Sequence, residues 1–398
     1  MMKPTIRFPE FKDLWNNHKI EDMFDRVGTP VDLDDTQTYR EIGIRSHGKG
    51  IFHKDETTAF EIGNKRVFWV EPNCFVVNIV FAWERAVAKT TEKENGMIAS
   101  HRFPMYKPKK DIVDLDYITE YFITKRGQNV LILASPGGAG RNKTLGQKEF
   151  AKSVVKLPSL PEQQKIAEFL STIDTVIKKQ KETVSAWEER KKGVMQKLFR
   201  QEVRFKADDG SEFPEWEEKK LKNILKEYKE YSAKDGSYEH VSLTKEGVVP
   251  KSERYERDFL VKDVDKKYRI THLGDICYNP ANLKFGVICR NKYGDGIFSP
   301  IYVTFHVCKD MLPEFVEMLV TRRDFIEYAL KYQQGTVYER MSVSPDDLLS
   351  IKVMVPCMTE QQKIADCLSS LDDVIEKQKA TLAAWEEMKK GLLQQMFV

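Results

Sequence analysis

From Ile166 the chain repeats apolar residues at alternating steps of four and three. Ile166, Leu170, Ile173, Ile177, Val184, Trp187, Val194 and Leu198 mark the stripe, and Gln180 and Lys191 fill its two gaps. This is a heptad seam, the pattern of a helix that pairs with another helix. It returns 198 positions later as Ile364, Leu368, Leu371, Ile375, Gln378, Leu382, Trp385, Lys389, Leu392 and Met396. Across Pro158 to Phe199 and Pro356 to Phe397, roughly 25 of about 42 positions are identical without a gap. A period so long is an internal duplication and not a solenoid repeat. Proline ahead of Glu162 and Glu360 stops the preceding strand, and each carboxylate suits a helix first turn. About 36 residues at ~1.5 Å each predict a rod of roughly 55 Å. Gly193 and Gly391 each cost about 1 kcal/mol and predict fraying or bending in the last turns.

The remaining chain carries shorter patterns. Val67–Val70, Phe75–Phe81, Gly286–Cys289 and Ile301–Phe305 mix β-branched and aromatic residues between Gly, Asn, Asp and Pro, as strands do. The apolar run Phe75 to Trp83, interrupted by Asn78, reads as a buried strand and is too short to span a bilayer. Helices are expected from Leu115, closing at Thr124-Lys125-Arg126, and from Pro313, closing at Thr321-Arg322-Arg323. The opening Ile6 to Phe11 pairs with Ser211 to Trp216, so the duplication reaches beyond the helices. The resulting organisation is a first domain over 1–157, a helix over 158–200, a second domain over 201–355 and a helix over 356–398. Each domain reads as mixed α/β or α+β with an irregular, strand-rich core whose strand order the pattern does not give.

Two seams in one chain predict pairing with each other, and the polar residues in the seam bear on direction. Gln180 and Gln378 lie near the helix centres and can meet in either orientation. Lys191 and Lys389 are off-centre: a parallel pair sets lysine against lysine, whereas an antiparallel pair puts Lys191 near Cys367 and Lys389 near Phe169. Like charges in a half-buried seam are disfavoured, so the antiparallel pair is expected, with pseudo-two-fold symmetry and the last residue, Val398, near the start of the first domain. The alternative is two amphipathic helices, each packed on its own domain.

Composition narrows the function. The 398 residues carry a formal net charge of +3, so any nucleic-acid site is a local patch and not a basic surface. Six cysteines without C-x-x-C spacing suit reduced thiols in a cytoplasmic protein. No signal peptide is recognisable. The chain has no G-x-x-x-x-G-K-[ST] phosphate loop and no His/Cys/Asp cluster with metal spacing. Asn279-Pro280-Ala281-Asn282 resembles the adenine-methyltransferase box only weakly. It lacks the second proline and the aromatic residue that stacks on a flipped base, and it reads as a turn. No catalytic residue is identified.

Basic clusters do occur, at Lys107 to Lys110, Lys125-Arg126, Arg141 with Lys143, Lys266-Lys267 with Arg269, Arg322-Arg323 and Arg340. Lys109, Lys110, Lys125, Arg126, Arg141, Lys143, Arg322, Arg323 and Arg340 are therefore the candidate DNA-contacting residues, with a solvated charged face as the plainer reading of any one cluster. The glycine-rich stretch Ser135 to Lys143 allows close backbone approach to phosphate, and is equally readable as a surface loop.

The two Pro-x-x-x-Glu-Gln-Gln-Lys-Ile-Ala blocks, the R-F-P-E-F and E-F-P-E-W openings and the domain–helix–domain–helix order resemble the specificity subunit of a type I restriction–modification complex. The resemblance covers essentially the whole chain. It implies a non-catalytic subunit in which each domain reads one half of a bipartite, asymmetric double-stranded DNA site. The helices would space the domains and dock two methylation subunits, and restriction subunits would complete the complex. S-adenosylmethionine, ATP and Mg would belong to those partners, with no cofactor on this chain and no membrane partner. The competing reading is a single-chain methyltransferase or nuclease with a duplicated targeting region.

Overall fold

The computed structural model describes residues 4–137, 143–232, 236–251, 267–334 and 341–397. The chain divides into two compact units, Met1–Val184 with Gln378–Val398, and Ser185–Lys377. Described helices are α1 Ile20–Met23, α2 Ala59–Ile62, α3 Leu115–Ile123, α4 Lys125–Leu133, α5 Gln147–Lys152, α6 Leu160–Phe199, α7 Pro313–Thr321, α8 Arg323–Ala329, α9 Pro345–Ser350 and α10 Met358–Met396. None of the described helices is long and apolar enough to cross a membrane. The six cysteines are unbridged.

The first half contributes β1 Asn16–Lys19, β2 Phe24–Val27, β3 Thr29–Pro30, β4 Thr38–Ile44, β5 Ile51–Thr58, β6 Val67–Trp69, β7 Phe75–Val77, β8 Val87–Lys89, β9 Ile98–Ser100, β10 Met105–Pro108 and β11 Val154–Leu157. The second contributes β12 Glu217–Lys220, β13 Leu225–Glu227, β14 Tyr231–Ser232, β15 Glu239–Leu243, β16 Val248–Pro250, β17 Tyr268–Thr271, β18 Ile276–Tyr278, β19 Ile288–Arg290, β20 Gly296–Phe298, β21 Val303–Val307 and β22 Lys352–Val355. The strand order, illegible in the sequence, is the same in both halves. A two-stranded ribbon β1-β11 matches β12-β22, a four-stranded sheet β2-β10-β7-β8 matches β13-β21-β18-β19, and a five-stranded sheet β3-β6-β9-β4-β5 matches β14-β17-β20-β15-β16. Even the parallel pair recurs, β4 with β9 and β15 with β20.

Local chemistry explains where several elements stop. The run expected as one buried strand from Phe75 to Trp83 is a strand only to Val77. Asn78 then accepts a hydrogen bond from Val80 N at 3.1 Å, and a 3₁₀ turn follows at Ala82–Glu84. Asn279 does the same with Ala281 N, ahead of the 3₁₀ turn Leu283–Phe285, so the Asn-Pro-Ala-Asn stretch is a turn. In the helix pair after β10, Asp114 caps α3 by accepting from Tyr117 N, and Thr124 caps α4 by accepting from Gly127 N. A Cβ at Gly127 would lie 2.2 Å from Tyr121 O, so only glycine allows α4 to turn back this tightly on α3.

The Glu-Gln-Gln blocks are clamps. Glu162, 1% exposed, takes a bidentate pair from Arg7 at 2.7 and 2.8 Å. Gln163 accepts from Asp114 N and donates to Ile112 O and Pro158 O. In the other unit Glu360 takes Arg204 and the Trp216 indole, and Gln361 accepts from Leu312 N and donates to Pro356 O. Glu162 and Glu360 therefore do more than complement a helix dipole. Each is the buried anchor of its domain's opening segment. Arg204, which precedes the Ser211–Trp216 stretch, is the counterpart of Arg7, and the Lys206–Glu212 turn is an insertion between Arg204 and the shared Phe-Pro-Glu.

The long helices run through Gly193 and Gly391 to Phe199 and Met396, so the last turns do not fray as expected. Within the first unit Lys389 reaches Asp174 at 2.7 Å and Gln180 Nε2 donates to Gln378 Oε1 at 2.7 Å, so one helix descends as the other ascends. Within the second unit Lys191 meets Asp372, and Leu198 and Phe199 share a core with Ile364 and Leu368, again antiparallel. Each ammonium group reaches an aspartate five positions beyond the residue expected beside it, Asp372 beyond Cys367 and Asp174 beyond Phe169. Helical side chains lean toward their own N-terminus, so in an antiparallel pair a lysine and an aspartate about five positions apart in level lean toward each other and meet.

Ile166, Leu170, Ile173, Ile177, Val184, Ile364, Leu368 and Ile375 are buried, whereas Gln180, Trp187, Leu371, Gln378, Leu382 and Trp385 are half-buried. Truncating either indole is therefore expected to cost less than the ~3–5 kcal/mol of a fully buried aromatic ring. Val398 lies outside the described residues, but Gln395 O accepts from Thr5 N at 2.8 Å and Ile6 N at 3.2 Å.

Candidate nucleic-acid interface

The sequence-predicted cations scatter over distinct surfaces. In the first unit Lys107, Lys110 and Lys89 line a cleft of about 560 Å³ with Asn73, Thr91 and Asp116. Lys109 is turned toward Asp25 and the Glu21 carbonyl, at 3.7 and 3.5 Å. Lys125 opens α4 and lines a second groove with Arg85 and Gln128 that shares no residue with the first. Arg126 is exposed beside it, and Lys143 is half-exposed. Arg141 and Arg340 lie outside the described residues, as does Lys266.

The second unit removes one candidate, Arg322, and one further cation of the basic clusters, Arg269, from a direct contact role. The Arg322 guanidinium lies 4.2 Å from the Phe199 ring centre and pairs with Asp324, and its burial lowers its pKa from the ordinary arginine value. Arg269 is buried, donating to Tyr302 O and Glu227. Both are structural cations. Thr124 caps α4 and Arg322 stands at the cap of α8, so Lys125 matches Arg323, and Arg126 matches Asp324. The basic pairs expected to recur therefore share one cationic position. Arg323 is exposed and linked to Glu327 along its own helix.

Sequence reasoning missed a better cluster. Phe285, at the tip of the 3₁₀ turn after β18, is 54% exposed. The Lys284 and Lys245 ammonium groups lie 5.0 and 6.0 Å from its ring centre. Lys245 sits on the β15–β16 hairpin turn, closed by Thr244 N donating to Gly247 O at 2.8 Å. Asn282 lines the cleft of about 650 Å³ between the two tips. Gly286 follows with φ 77°, a conformation that closes the turn and that a side chain would strain. The adjacency Asn-Leu-Lys-Phe-Gly was the available signal, an aromatic residue and a cation before a turn glycine.

The first half brings the same two loops together. Its β4–β5 hairpin turn carries exposed Arg45, His47 and Lys49. His47 N donates to Glu84 O at 2.7 Å, Gly48 N to Arg85 O at 2.9 Å and Ser46 Oγ to Glu84 Oε2 at 2.9 Å, which fixes the hairpin tip on the 82–84 turn. Gln128 of α4 donates to Trp83 O on that turn. The scaffold is repeated while the residues it displays differ. Among the described residues no cluster of His, Cys, Asp or Glu could hold a metal ion.

Comparison with known proteins agrees with this architecture. A protein of Methanocaldococcus jannaschii, assigned provisionally as the type I restriction enzyme MjaX specificity subunit, is 25% identical over 310 residues, covering 73% of this chain and 68% of its own. The crystal structure of the HsdS subunit from Thermoanaerobacter tengcongensis superposes with a TM-score of 0.51 at 12% identity, over 98% of both chains. That of the type I restriction–modification S subunit from M. genitalium superposes with a TM-score of 0.53 at 14% identity, over 100% of this chain and 99% of its own. The family model described as the type I restriction modification DNA specificity domain matches residues 13–185 and 319–384, more than half of the sequence, and the chain belongs to that family.

Proposed function

We propose that the chain is the sequence-reading subunit of a type I restriction–modification complex in which each half reads one part of a split, asymmetric DNA site. The observation that carries this is the repeated three-sheet scaffold displaying different residues on matching loops. Equal scaffolds hold two readers alike, and unequal tips give them unequal targets. The role we assign to the two long helices is to set the spacing between half-sites, as dimer geometry does in other two-site DNA readers. Lys110, Lys125, Arg126, Lys143 and Arg323 serve phosphates, which positions the domains without specifying sequence. DNA and methylation subunits are the partners, two of the latter matching the two-fold repeat, and restriction subunits join that assembly. S-adenosylmethionine chemistry belongs to the methylation subunits, and this chain is non-catalytic and cytoplasmic.

Methylome sequencing of cells expressing the chain with methylation subunits tests the reading. A single bipartite motif with unlike halves and a constant gap is expected. An undivided motif, or methyl transfer to DNA by the purified chain alone, overturns it.

A further inference from the structure

The geometry points to the paired tips as the base-reading surface of each half. In the second half Phe285 is the apolar base contact, and Lys245 and Lys284 hold the flanking phosphates. This inference rests on the reading proposed above and adds the residues that determine sequence. An aromatic ring more than half exposed at the tip of a turn serves no core, since Leu283 of the same turn already fills it. Two ammonium groups over that ring make the tip cationic and complementary to a polyanion. Glu246 shares the hairpin turn with Lys245 and lines the same cleft, so it offsets part of the positive charge of the two lysines.

A lone exposed phenylalanine has few uses against phosphates. Against bases it can contact a thymine methyl or wedge into a base step, and the Asn282 amide beside it can read an adenine edge. The first half supports the assignment independently. Its hairpin and 3₁₀ tips are joined by three hydrogen bonds and bear Arg45, His47 and Lys49, with Glu84 at the turn position of Phe285 and Phe81, 40% exposed, at the start of the turn. The same two loops thus converge twice and carry different chemistry, as the surface that distinguishes two half-sites must.

The test uses the complex reconstituted with methylation subunits, and duplexes bearing the motif found in the methylome. Phe285→Ala is expected to keep the melting temperature, because the ring is exposed. It lowers affinity for the full site about tenfold, the usual cost of one lost base contact. It leaves affinity unchanged for a duplex whose second half-site is scrambled. Lys284→Ala and Lys245→Ala weaken binding to both duplexes alike and reduce the salt slope by about one each. Wild-type discrimination by Phe285→Ala overturns the inference while leaving the proposed function intact. A wild-type complex that binds all duplexes equally overturns the reading on which it rests.

Discussion

At the scale of residues, the repeated motif explains itself through buried charge. Glu162 is enclosed and held by Arg7, and the hydrogen-bonded carboxylate keeps the Arg7 pKa above its ordinary value. Glu162→Ala leaves a guanidinium that still touches water, so a loss of about 2–3 kcal/mol is expected, below the ~3–5 kcal/mol of a fully buried pair. Glu360→Ala costs more, because it also strands the Trp216 N–H. Urea denaturation of both variants measures the difference, and equal midpoints would show that the indole bond is immaterial.

Glu120 is the opposite case. Burial raises its pKa against the pull of Lys389, and Asp174 and Asp116 raise it further. A carboxyl raised in the folded state is carried without penalty below the ordinary glutamate value. Stability is then lost as pH rises through the raised value. Glu120→Gln removes that loss, and Lys389 keeps Asp174. The variant is expected to melt above the wild type at pH 7 and with it near pH 4. A gap independent of pH would contradict the assignment.

At the scale of elements, helix chemistry was legible and loop chemistry was not. The heptad, the central glutamines and the off-centre lysines announce direction because a seam is periodic and each polar residue in it stands out. Asp174 and Asp372 were not foreseen as partners of Lys389 and Lys191, since pattern gives position but not the lean of a side chain. The turn at Asn279 was read against the methyltransferase box, and Phe285, six residues on, was passed over. An exposed ring differs from a core ring only in its surroundings, which sequence does not show. Gly193 and Gly391 do not end their helices, which run on to Phe199 and Met396. A Cβ at Gly193 meets nothing within 4 Å, and at Gly391 only Gln395 Nε2 at 3.8 Å. Gly193→Ala and Gly391→Ala should each stabilise the chain by about 1 kcal/mol, the intrinsic helix preference with no steric offset. Thermal melting that falls instead would show that these turns need a conformation outside the regular helix.

At the scale of the molecule, the duplication reaches the chain junctions. Lys197 O, near the end of α6, accepts from Glu202 N at 3.0 Å and Val203 N at 3.5 Å, and Arg204 then pairs with Glu360. Gln395 O, 198 positions on, accepts from Thr5 N and Ile6 N, and Arg7 then pairs with Glu162. The covalent passage out of α6 and the contact of α10 with residues 5 and 6 are built from the same pattern of hydrogen bonds. Connection is therefore interchangeable with contact at these two places. Joining residue 397 to residue 4 through a short flexible linker, and opening the chain between Arg200 and Gln201, exchanges the order of the halves without moving a buried group. Arg200 is exposed and Gln201 lies in a left-handed conformation that the cut relaxes. The permuted chain is expected to melt within about 1–2 kcal/mol of the parent, because a short loop closed at one site replaces one opened at the other. With the same methylation subunits it should direct methylation to the parent's motif, since specificity resides in the tips and not in the order of synthesis. A permutant that folds but selects a different motif would show that chain order contributes to the reading. One that fails to fold would show that the Thr5–Gln395 contacts do not stand in for a bond.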